Sequence, residues 1–542
     1  MACSKILSGD LPELLNDIIQ YFYDDFSTLH SCVLVNRLWC RLAIPLLWED
    51  PFSIPTQNYN CIEIYLHNLN DYDKKDVNKY ENNNFFSSNT LFNYPSLIKC
   101  LNTHKIVNAI EEWVAAPIEK RSIYYYSTSP TLIYKLLLKV FVENKARLNA
   151  FEVILNRVID FQCFNESFEF LLQNPNFIRN IKILKLEKVS NLTKIYSLLK
   201  FLYSNCNSIS TIFFQFQKNF NDKLIEKYSS QIIYAQKSLK KVLFDFIEFP
   251  LYYSLLSLKN SNCLNTLKTI IFHNVNFSNI VGLNEVFEQL NVLDSIHILY
   301  CLSLNSDFIQ QIIKITKPFK LKSLFINELE IFQIETLQYL LQKSGNYLEN
   351  IGLISSEFNQ KQLFEIILKY CTRIRFFDLP GFCDQNIHLA FKLIENAENN
   401  LNYLSLDIYN QLVLQGLGQL LPVKLEYLNL SIMTSTSNFK IFLKNSQKTF
   451  IKKLLIRNEM QVGSEDILPY IKEYIMKEKR VKYLAIKEDF AEESRDLFFL
   501  GDEVKMFESY DIKIQNYCDL RIQIYNFINK MILNIDITAY EL

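Results

Sequence analysis

A short apolar pattern occurs twice within LNYLSLDIYNQLVLQGLGQLLPVKLEYLNL, residues 401–430. LNYLSL (401–406) and LEYLNL (425–430) both follow the order apolar-x-x-apolar-x-apolar. Apolar residues that alternate in this way are typical of a β-strand with one buried face. With these two occurrences included, the pattern is found twelve times, starting at residues 181, 209, 239, 267, 293, 321, 348, 374, 401, 425, 451 and 481. The starts are 24 to 30 residues apart, so the sequence predicts a repeated structural unit.

Amphipathic stretches with helical spacing lie between the predicted strands, for example at 192–204, 359–370 and 465–478. One strand with one helix cannot bury its apolar face alone, whereas stacked copies can. Twelve occurrences in nearly constant phase are not expected by chance. We therefore expect strands whose alternating apolar residues pack against the same positions of the next repeat.

This pattern resembles the leucine-rich repeat, L-x-x-L-x-L with a period of about 20–29 residues. The resemblance covers about residues 178–500. Cys206 and Cys371 lie three residues before the first apolar position of their strands, like the cysteine of repeats in F-box proteins. The Asn or Cys that follows the strand in the family is mostly missing, so the repeats are irregular. The resemblance implies an α/β solenoid with a curved parallel sheet inside and helices outside.

The N-terminal fifty residues differ from the repeats. LPELLNDIIQYF (11–22) places apolar residues on one face of a short helix, and two of the three tryptophans, Trp39 and Trp48, follow. Three helices of about ten residues cannot bury two tryptophans by themselves. Part of this apolar surface is therefore expected to contact a partner.

Residues 8–50 resemble an F-box, the module that binds the Skp-type adaptor of SCF (cullin-RING) ubiquitin ligases. The Leu-Pro start, the first amphipathic helix, VNRLWCRLAIPLLW (35–48) and its final Leu-Trp match the family in order. The family has one more residue between the proline and the apolar helix positions. The resemblance implies that seven residues contact the adaptor or frame that contact: Leu11, Pro12, Ile18, Ile19, Leu29, Val35 and Trp39. The alternative is a small helical cap that closes the end of a larger fold.

Three further regions complete the domain prediction. We expect a partly disordered linker over residues 51–95, because 68–94 are rich in Asn and charge. Residues 96–177 have helical spacing and predict a helical adapter region. Residues 501–542 lie outside the repeat phase and predict a C-terminal cap.

Composition argues against several classes of function. The net charge is -1 with no basic block, which disfavours nucleic acid and anionic membranes as partners. Nine glycines in 542 residues leave few phosphate-binding turns. The twelve cysteines form no Cys-x-x-Cys pair, and the six histidines form no His-Glu-x-x-His motif. The longest apolar stretch, 131–142, is too short to span a bilayer. We expect a protein of the cytoplasm or nucleus that is not itself an enzyme and needs no metal or cofactor.

Together, the two resemblances imply a substrate-recognition subunit of an SCF ubiquitin ligase in the proteasomal degradation pathway. The N-terminal module would bind the Skp-type adaptor, and through it a cullin, while the repeats bind an unknown protein target. The main alternative is a leucine-rich-repeat scaffold unrelated to ubiquitination. A weaker alternative is an enzyme whose site lies within residues 96–175.

One column of the predicted sheet is a candidate target-binding surface. Phe376, Tyr403, Tyr427 and Tyr483 occupy the first outward position of their strands, with Lys453 between the last two. The third outward column holds Asp407, Ser431, Arg457 and Lys487, of which Arg457 is the candidate binding residue. Adjacent strands are about 4.8 Å apart, so Tyr403 is expected beside Tyr427. Exposed aromatic and arginine side chains are typical anchors of interfaces. The alternative is that cross-strand aromatic packing stabilises the sheet.

Overall fold

The protein is represented by a computed structural model that describes most of the chain in two compact units. The first unit comprises residues 1–268, 290–292 and 538–542, and the second comprises residues 269–289 and 293–537. The described residues are 12–23, 25–54, 59–70, 73, 91–115, 130–189, 194–216, 223–245, 251–259, 261–278, 280–329, 333–355, 360–379, 386–408, 411–433, 435–459, 466–489 and 494–533.

The first unit combines a parallel sheet with helices. Its strands pair in chain order, with neighbouring strands parallel from β1 to β5. They are β1 (Cys100–Asn102), β2 (Ala150–Ile154), β3 (Ile183–Glu187), β4 (Thr211–Gln215) and β5 (Lys241–Asp245). The helices are α1 (Pro12–Tyr21), α2 (Phe26–Val33), α3 (Arg37–Leu47), α4 (Cys61–Leu66), α5 (Thr103–Ala115), α6 (Pro130–Glu143), α7 (Val158–Gln173), α8 (Ile195–Asn205), α9 (Lys223–Tyr234), α10 (Tyr252–Ser257) and α11 (Ser261–Leu264).

The second unit continues the alternation of strand and helix. Its strands are β6 (Thr269–His273), β7 (Ser295–Leu299), β8 (Leu321–Leu329), β9 (Asn350–Ser355), β10 (Phe376–Leu379), β11 (Tyr403–Ile408), β12 (Lys424–Ile432), β13 (Phe450–Glu459), β14 (Val481–Asp489), β15 (Ser494–Asp496) and β16 (Lys513–Ile514). Strands β6 to β14 pair in parallel in chain order, and β14 also pairs with β15 in antiparallel and with β16 in parallel. The helices are α12 (Leu283–Gln289), α13 (Ser306–Ile313), α14 (Gln333–Ser344), α15 (Gln360–Tyr370), α16 (Ile387–Ala397), α17 (Gln411–Leu420), α18 (Thr436–Asn445), α19 (Leu468–Ile471), α20 (Gly501–Glu508), α21 (Tyr517–Leu520) and α22 (Ile524–Leu533).

The twelve predicted strands are confirmed, since each of the twelve patterns overlaps one of the strands β3 to β14. The second and third apolar residues of every pattern are at most 8% exposed. Equivalent positions also pair between strands, as Leu404 does with Leu428 and Leu428 with Leu454. Alternating residues therefore form continuous apolar rows, the arrangement that allows repeats to bury one another's faces.

The region predicted as a helical adapter, 96–177, differs from the prediction because it also contributes the strands β1 and β2. LNAFEV (148–153) has the same apolar pattern, and its Leu148, Phe151 and Val153 are buried. Its start lies 33 residues before the next pattern (148 to 181), outside the spacing of the other repeats. The strand-and-helix alternation thus begins before residue 178.

Part of the predicted linker, 51–95, is folded. Helix α4 buries Tyr65, whose ring packs edge-on against Phe141 of α6 at 4.9 Å between centroids. Residues 74–90, the most polar part of this stretch, lie outside the described residues. The expectation of a linker therefore does not hold for 61–66, because apolar residues of this short helix complete the core beside α6.

The predicted C-terminal cap, 501–542, has two parts among its described residues. Strand β16 adds to the sheet beside β14, as a cap would. Tyr517 and Leu520, however, join a buried cluster with the sheet residues Tyr427, Leu455 and Tyr483. The segment therefore lies over a face of the sheet as well as along its edge.

Candidate functional site

Helices α1, α2 and α3 pack around a common apolar core. The core residues are Leu15, Ile19, Leu29, Cys32, Ala43 and Leu46. Local capping defines the helix starts, because Asp25 accepts a hydrogen bond from Thr28 N–H at 2.9 Å and Asn36 accepts one from Leu38 N–H at 2.9 Å. The three helices therefore form a small packed module.

The residues that the resemblance assigns to adaptor binding have different environments in this module. Ile19 and Leu29 are fully buried in its core, so they support the module from within. Ile18 and Trp39 are half-buried. Pro12 begins α1, and Leu11 lies outside the described residues.

An apolar surface is exposed at the turn between α2 and α3. Leu34 is 76% exposed and its neighbour Val35 is 51% exposed. Trp39, in the first turn of α3, has an indole N–H that is buried without an acceptor among the described residues. Val35 is thus the predicted contact residue with the largest observed exposure, and a partner is best sought at this turn.

Trp48 joins the module to the rest of the first unit. Its ring centroid lies 4.1 Å from that of Tyr94 and 5.4 Å from that of Tyr65. The carbonyl of Glu49 accepts hydrogen bonds from the N–H groups of Lys99 and Cys100, at the start of β1. This attachment favours the alternative of a helical cap, whereas the exposed turn at Leu34 and Val35 favours a module that binds a partner.

The predicted aromatic column on the sheet of the second unit has the expected register. Tyr403 pairs with Tyr427 and with Phe376, which confirms the expectation that these residues are neighbours. On the other side of Tyr427, Lys453 is the next member of the column and Tyr483 follows. The rings of Phe376 and Tyr403 are 5.8 Å apart, which supports the alternative of cross-strand packing.

The expected exposure of this column is wrong. Phe376 and Tyr427 are each 1% exposed and Tyr483 is 6% exposed. The C-terminal segment covers them, since the ring of Phe527 lies 5.2 Å from that of Phe376 and 4.8 Å from that of Tyr403. Phe376, Tyr427 and Tyr483 are therefore interior residues, and Tyr403 is half-buried.

A polar cavity of about 260 Å³ lies on the same sheet face. Its charged and hydroxyl-bearing lining residues come from several strands and from the C-terminal segment: Tyr300, Asp378, Ser405, Asp407, Ser431, Arg457, Glu459, Tyr517 and Arg521. Of these residues, the sequence placed Asp407, Ser431 and Arg457 in one outward column, and Arg457 was the candidate for binding. The cavity exists because the C-terminal segment bridges polar side chains of β10 to β13.

Two carboxylates in this cavity are electrostatically unusual. Burial, together with the nearby charge of Asp378, raises the pKa of Asp407 from its ordinary value to about 6, although the charge of Arg521 opposes this rise. Burial also raises the pKa of Asp378, against a hydrogen bond from Ser405 and the charge of Arg521. Arg521 therefore acts as a cation shared by both carboxylates.

The other cavity arginine is held by different partners. Arg457 donates a hydrogen bond from Nε to Oδ2 of Asp489 at 2.6 Å, and its Nη1 lies 3.9 Å from Oε1 of Glu459. The hydroxyl of Tyr517 donates to Oδ1 of Asn429 at 2.7 Å. Arg521 is exposed to solvent, and its charge, which favours the ionised form of both carboxylates, comes from the segment that covers them.

Groups used in nucleophilic or metal chemistry do not converge in the described part of the chain. Burial raises the pKa of the Cys206 and Cys371 thiols to about 12, the opposite of a reactive thiolate. The imidazole of His297 is buried against the Ser323 hydroxyl at 2.8 Å, and that of His104 contacts Asp160 at 3.0 Å. Among the residues that the structure describes, no group of three or more His, Cys, Asp or Glu side chains could hold a metal ion, and no helix is long and apolar enough to cross a membrane.

A second depression, of about 690 Å³, falls in the region considered for a hidden enzyme site. Its charged lining residues are Lys145, Arg147 and Arg179, all of them exposed. No carboxylate, histidine or cysteine is among the described residues that line it. It therefore lacks a pair of groups for acid–base or nucleophilic chemistry.

Comparisons with known proteins add no assignment. A scan against models of protein families finds no match to this chain, and a search of curated proteins finds no related sequence. The two surfaces described above therefore rest on residue chemistry and geometry alone.

Proposed function

We propose that this protein is a substrate-recognition subunit of an SCF-type ubiquitin ligase. In this proposal, helices α1 to α3 are an F-box that binds a Skp-type adaptor and through it a cullin. The leucine-rich repeats bind the protein to be ubiquitinated. The observation that carries the proposal is the packed three-helix module with Leu34 and Val35 exposed, in a chain that otherwise repeats a strand and a helix.

In this role the protein has no catalytic step of its own. It raises the effective concentration of target lysines near the conjugating enzyme, which requires two binding surfaces and no cofactor. The reaction partners imply a protein of the cytoplasm or the nucleus.

The alternative function is a repeat scaffold unrelated to ubiquitination, with the three helices as a terminal cap. The aromatic contacts of Trp48 with Tyr65 and Tyr94 favour this alternative, because a cap needs such an attachment. Adaptor binding separates the two functions, since a cap has no reason to bind a Skp-type adaptor.

The test measures the affinity of the full chain for a purified Skp-type adaptor. Val35→Asp places a charge on the exposed turn and is expected to weaken binding at least tenfold while the protein stays folded. The matched control is Val281→Asp, since Val281 is 55% exposed and lies in the second unit. Absence of binding by the wild type, or equal binding by both variants, would reject the F-box.

A further inference from the structure

The C-terminal segment, residues 515–533, follows a path over the sheet face of the second unit. It leaves β16 beside β14, and the Tyr517 hydroxyl then reaches Asn429 on β12. Farther along, Phe527 contacts Phe376 on β10, and Tyr525 stacks on His273 of β6 at 4.5 Å between ring centroids. The segment thus contacts strands of the second unit from β6 to β14.

The N–H of Gln515 donates to the Leu484 carbonyl of β14 at 3.1 Å, and side chains take part in the hydrogen bonds that follow. The N–H of Tyr517 donates to Oδ2 of Asp496 at 3.0 Å, and the N–H of Ile522 donates to the hydroxyl of Tyr427 at 3.2 Å. A row of apolar residues supplies the rest of the contact: Tyr517, Leu520, Ile524 and Phe527 are each at most 7% exposed. Such a contact combines aromatic anchors with a few directed hydrogen bonds, like a protein–peptide interface.

Opposite charges on Arg521 of the segment and on two carboxylates of the sheet define the position of the segment along the sheet face. Arg521 lies four residues after Tyr517, at the cavity that contains Asp378 and Asp407. The Nε of Arg457, the other arginine of the cavity, is hydrogen-bonded to Asp489. If the segment left, the sheet face would present an aromatic column next to two carboxylates that had lost the charge of Arg521.

We propose that this sheet face is the target-binding surface and that the C-terminal segment is its internal occupant. A partner displaces the segment when it presents a peptide with the same types of residue at the same spacing. That peptide has an aromatic residue, an arginine four residues later and an apolar residue six residues after the arginine. The inference deepens the proposed function by giving the class of target. The exchange of segments itself can be measured without any component of the ubiquitin system.

The test uses the full chain and a fluorescent peptide of residues 515–533 with Cys518→Ser. In the chain, Tyr517→Ala with Phe527→Ala weakens the internal segment. We expect this opened variant to bind the peptide at least tenfold more tightly than the wild type does. The matched control is Phe499→Ala with Tyr339→Ala, two aromatic residues that are 73% and 52% exposed, and it should bind like the wild type.

The role of charge is tested with a second peptide. Arg521→Glu in the peptide should reduce its binding to the opened variant at least tenfold. Asp378→Asn with Asp407→Asn in the opened variant should remove most of the difference between the two peptides. An unchanged difference would overturn the assignment of the carboxylates as the arginine site.

Several results would overturn the proposal as a whole. Equal binding of the peptide by the wild type and the opened variant, or binding by neither, would make the segment a permanent part of the fold. Dimerisation of the opened variant would assign the face to a second copy of the chain. If the opened variant does not fold, hydrogen exchange on the wild type is the deciding measurement. The amides of 517–527 should then exchange at least 100-fold faster than those of β11 and β12. Equal protection of the two groups of amides would reject a displaceable segment. Binding of the Skp-type adaptor is measured separately with the Val35→Asp variant, so failure of this proposal can be distinguished from failure of the F-box proposal.

Discussion

The hydroxyl oxygen of Tyr427 accepts a hydrogen bond from the backbone N–H of Ile522 at 3.2 Å, although the two residues are 95 positions apart. Tyr427 is 1% exposed, and burial raises the pKa of its hydroxyl, which therefore stays protonated. A buried N–H without a partner is unfavourable, so this contact satisfies a donor of the C-terminal segment. The hydrogen bond links the segment directly to the middle of the aromatic column.

Tyr427→Phe removes the acceptor and keeps the ring. We expect the free energy of unfolding to fall by about 1 kcal/mol, and the Ile522 amide to exchange faster, because its donor loses its partner. Thermal unfolding and hydrogen exchange measure the two effects. Tyr339→Phe is the control, since Tyr339 is 52% exposed on α14. An unchanged exchange rate at Ile522 would mean that this hydrogen bond does not hold the segment.

The apolar rows between strands give a second prediction. Leu404 and Leu428 are 0% exposed and pair across β11 and β12. Leu404→Ala or Leu428→Ala should reduce the free energy of unfolding by about 2–5 kcal/mol, because each leaves a cavity in a packed layer. Leu302→Ala should change it by less than about 0.5 kcal/mol, since Leu302 is 60% exposed. Denaturant titration compares the three variants, and equal losses would contradict the buried row.

The strand ladder could be predicted because its signal is local. Apolar residues alternate within each strand, and the distance between patterns is nearly constant, so register followed from position in the pattern. Tyr403 beside Tyr427 is such a case. Strand β2 was missed for the corresponding reason: α7 has 16 residues, and the longer connection moved LNAFEV (148–153) out of the regular spacing.

The cavity could not be predicted, because it depends on contacts between distant parts of the chain. In the sequence, Asp378 and Asp407 look like ordinary polar residues of two strands. The fold brings Arg521 to the same cavity as these two carboxylates. The spacing of Tyr517, Leu520, Ile524 and Phe527 does indicate an apolar helical face. Nothing in that spacing tells whether the face packs on the end of the sheet or across it.

Arg480, immediately before β14, gives a prediction about buried charge. It is 7% exposed and donates hydrogen bonds to the carbonyls of Leu443, Ser446 and Thr449. Burial lowers the pKa of its guanidinium, but the carbonyl acceptors satisfy its N–H donors. Arg480→Met should cost about 2–4 kcal/mol of unfolding free energy, because the three carbonyls lose their donor.

The neighbouring Lys479 is the matched control for this variant. Its ion pair with Asp511 measures 3.0 Å between Nζ and Oδ2, and both side chains are more than half exposed. Lys479→Met should therefore change the unfolding free energy by less than about 0.5 kcal/mol. Similar costs for the two variants in urea titration would show that the buried hydrogen bonds of Arg480 contribute little.

The raised pKa of Asp407 predicts a pH-dependent stability. Its pKa of about 6 in the folded state exceeds its ordinary value of 3.8. Between these values the folded protein holds a proton that the unfolded chain has released, so the contribution of this group to stability falls as pH rises from about 4 to about 6. Above that range the carboxylate is ionised in both the folded and the unfolded state, so the loss of stability caused by burying its charge no longer changes with pH.

Asp407→Asn removes this cost and should therefore be more stable than the wild type at pH 7.5. A shift of this size corresponds to about 3 kcal/mol, and we expect about 1–2 kcal/mol because water reaches the half-buried side chain. At pH 4 the wild type and the variant should differ little. Urea titration at both pH values measures the difference, with Asp511→Asn as the control, since the side chain of Asp511 is 86% exposed. A difference that grows toward low pH would contradict the prediction, because it would mean that Arg521 and Arg457 outweigh burial at this carboxylate.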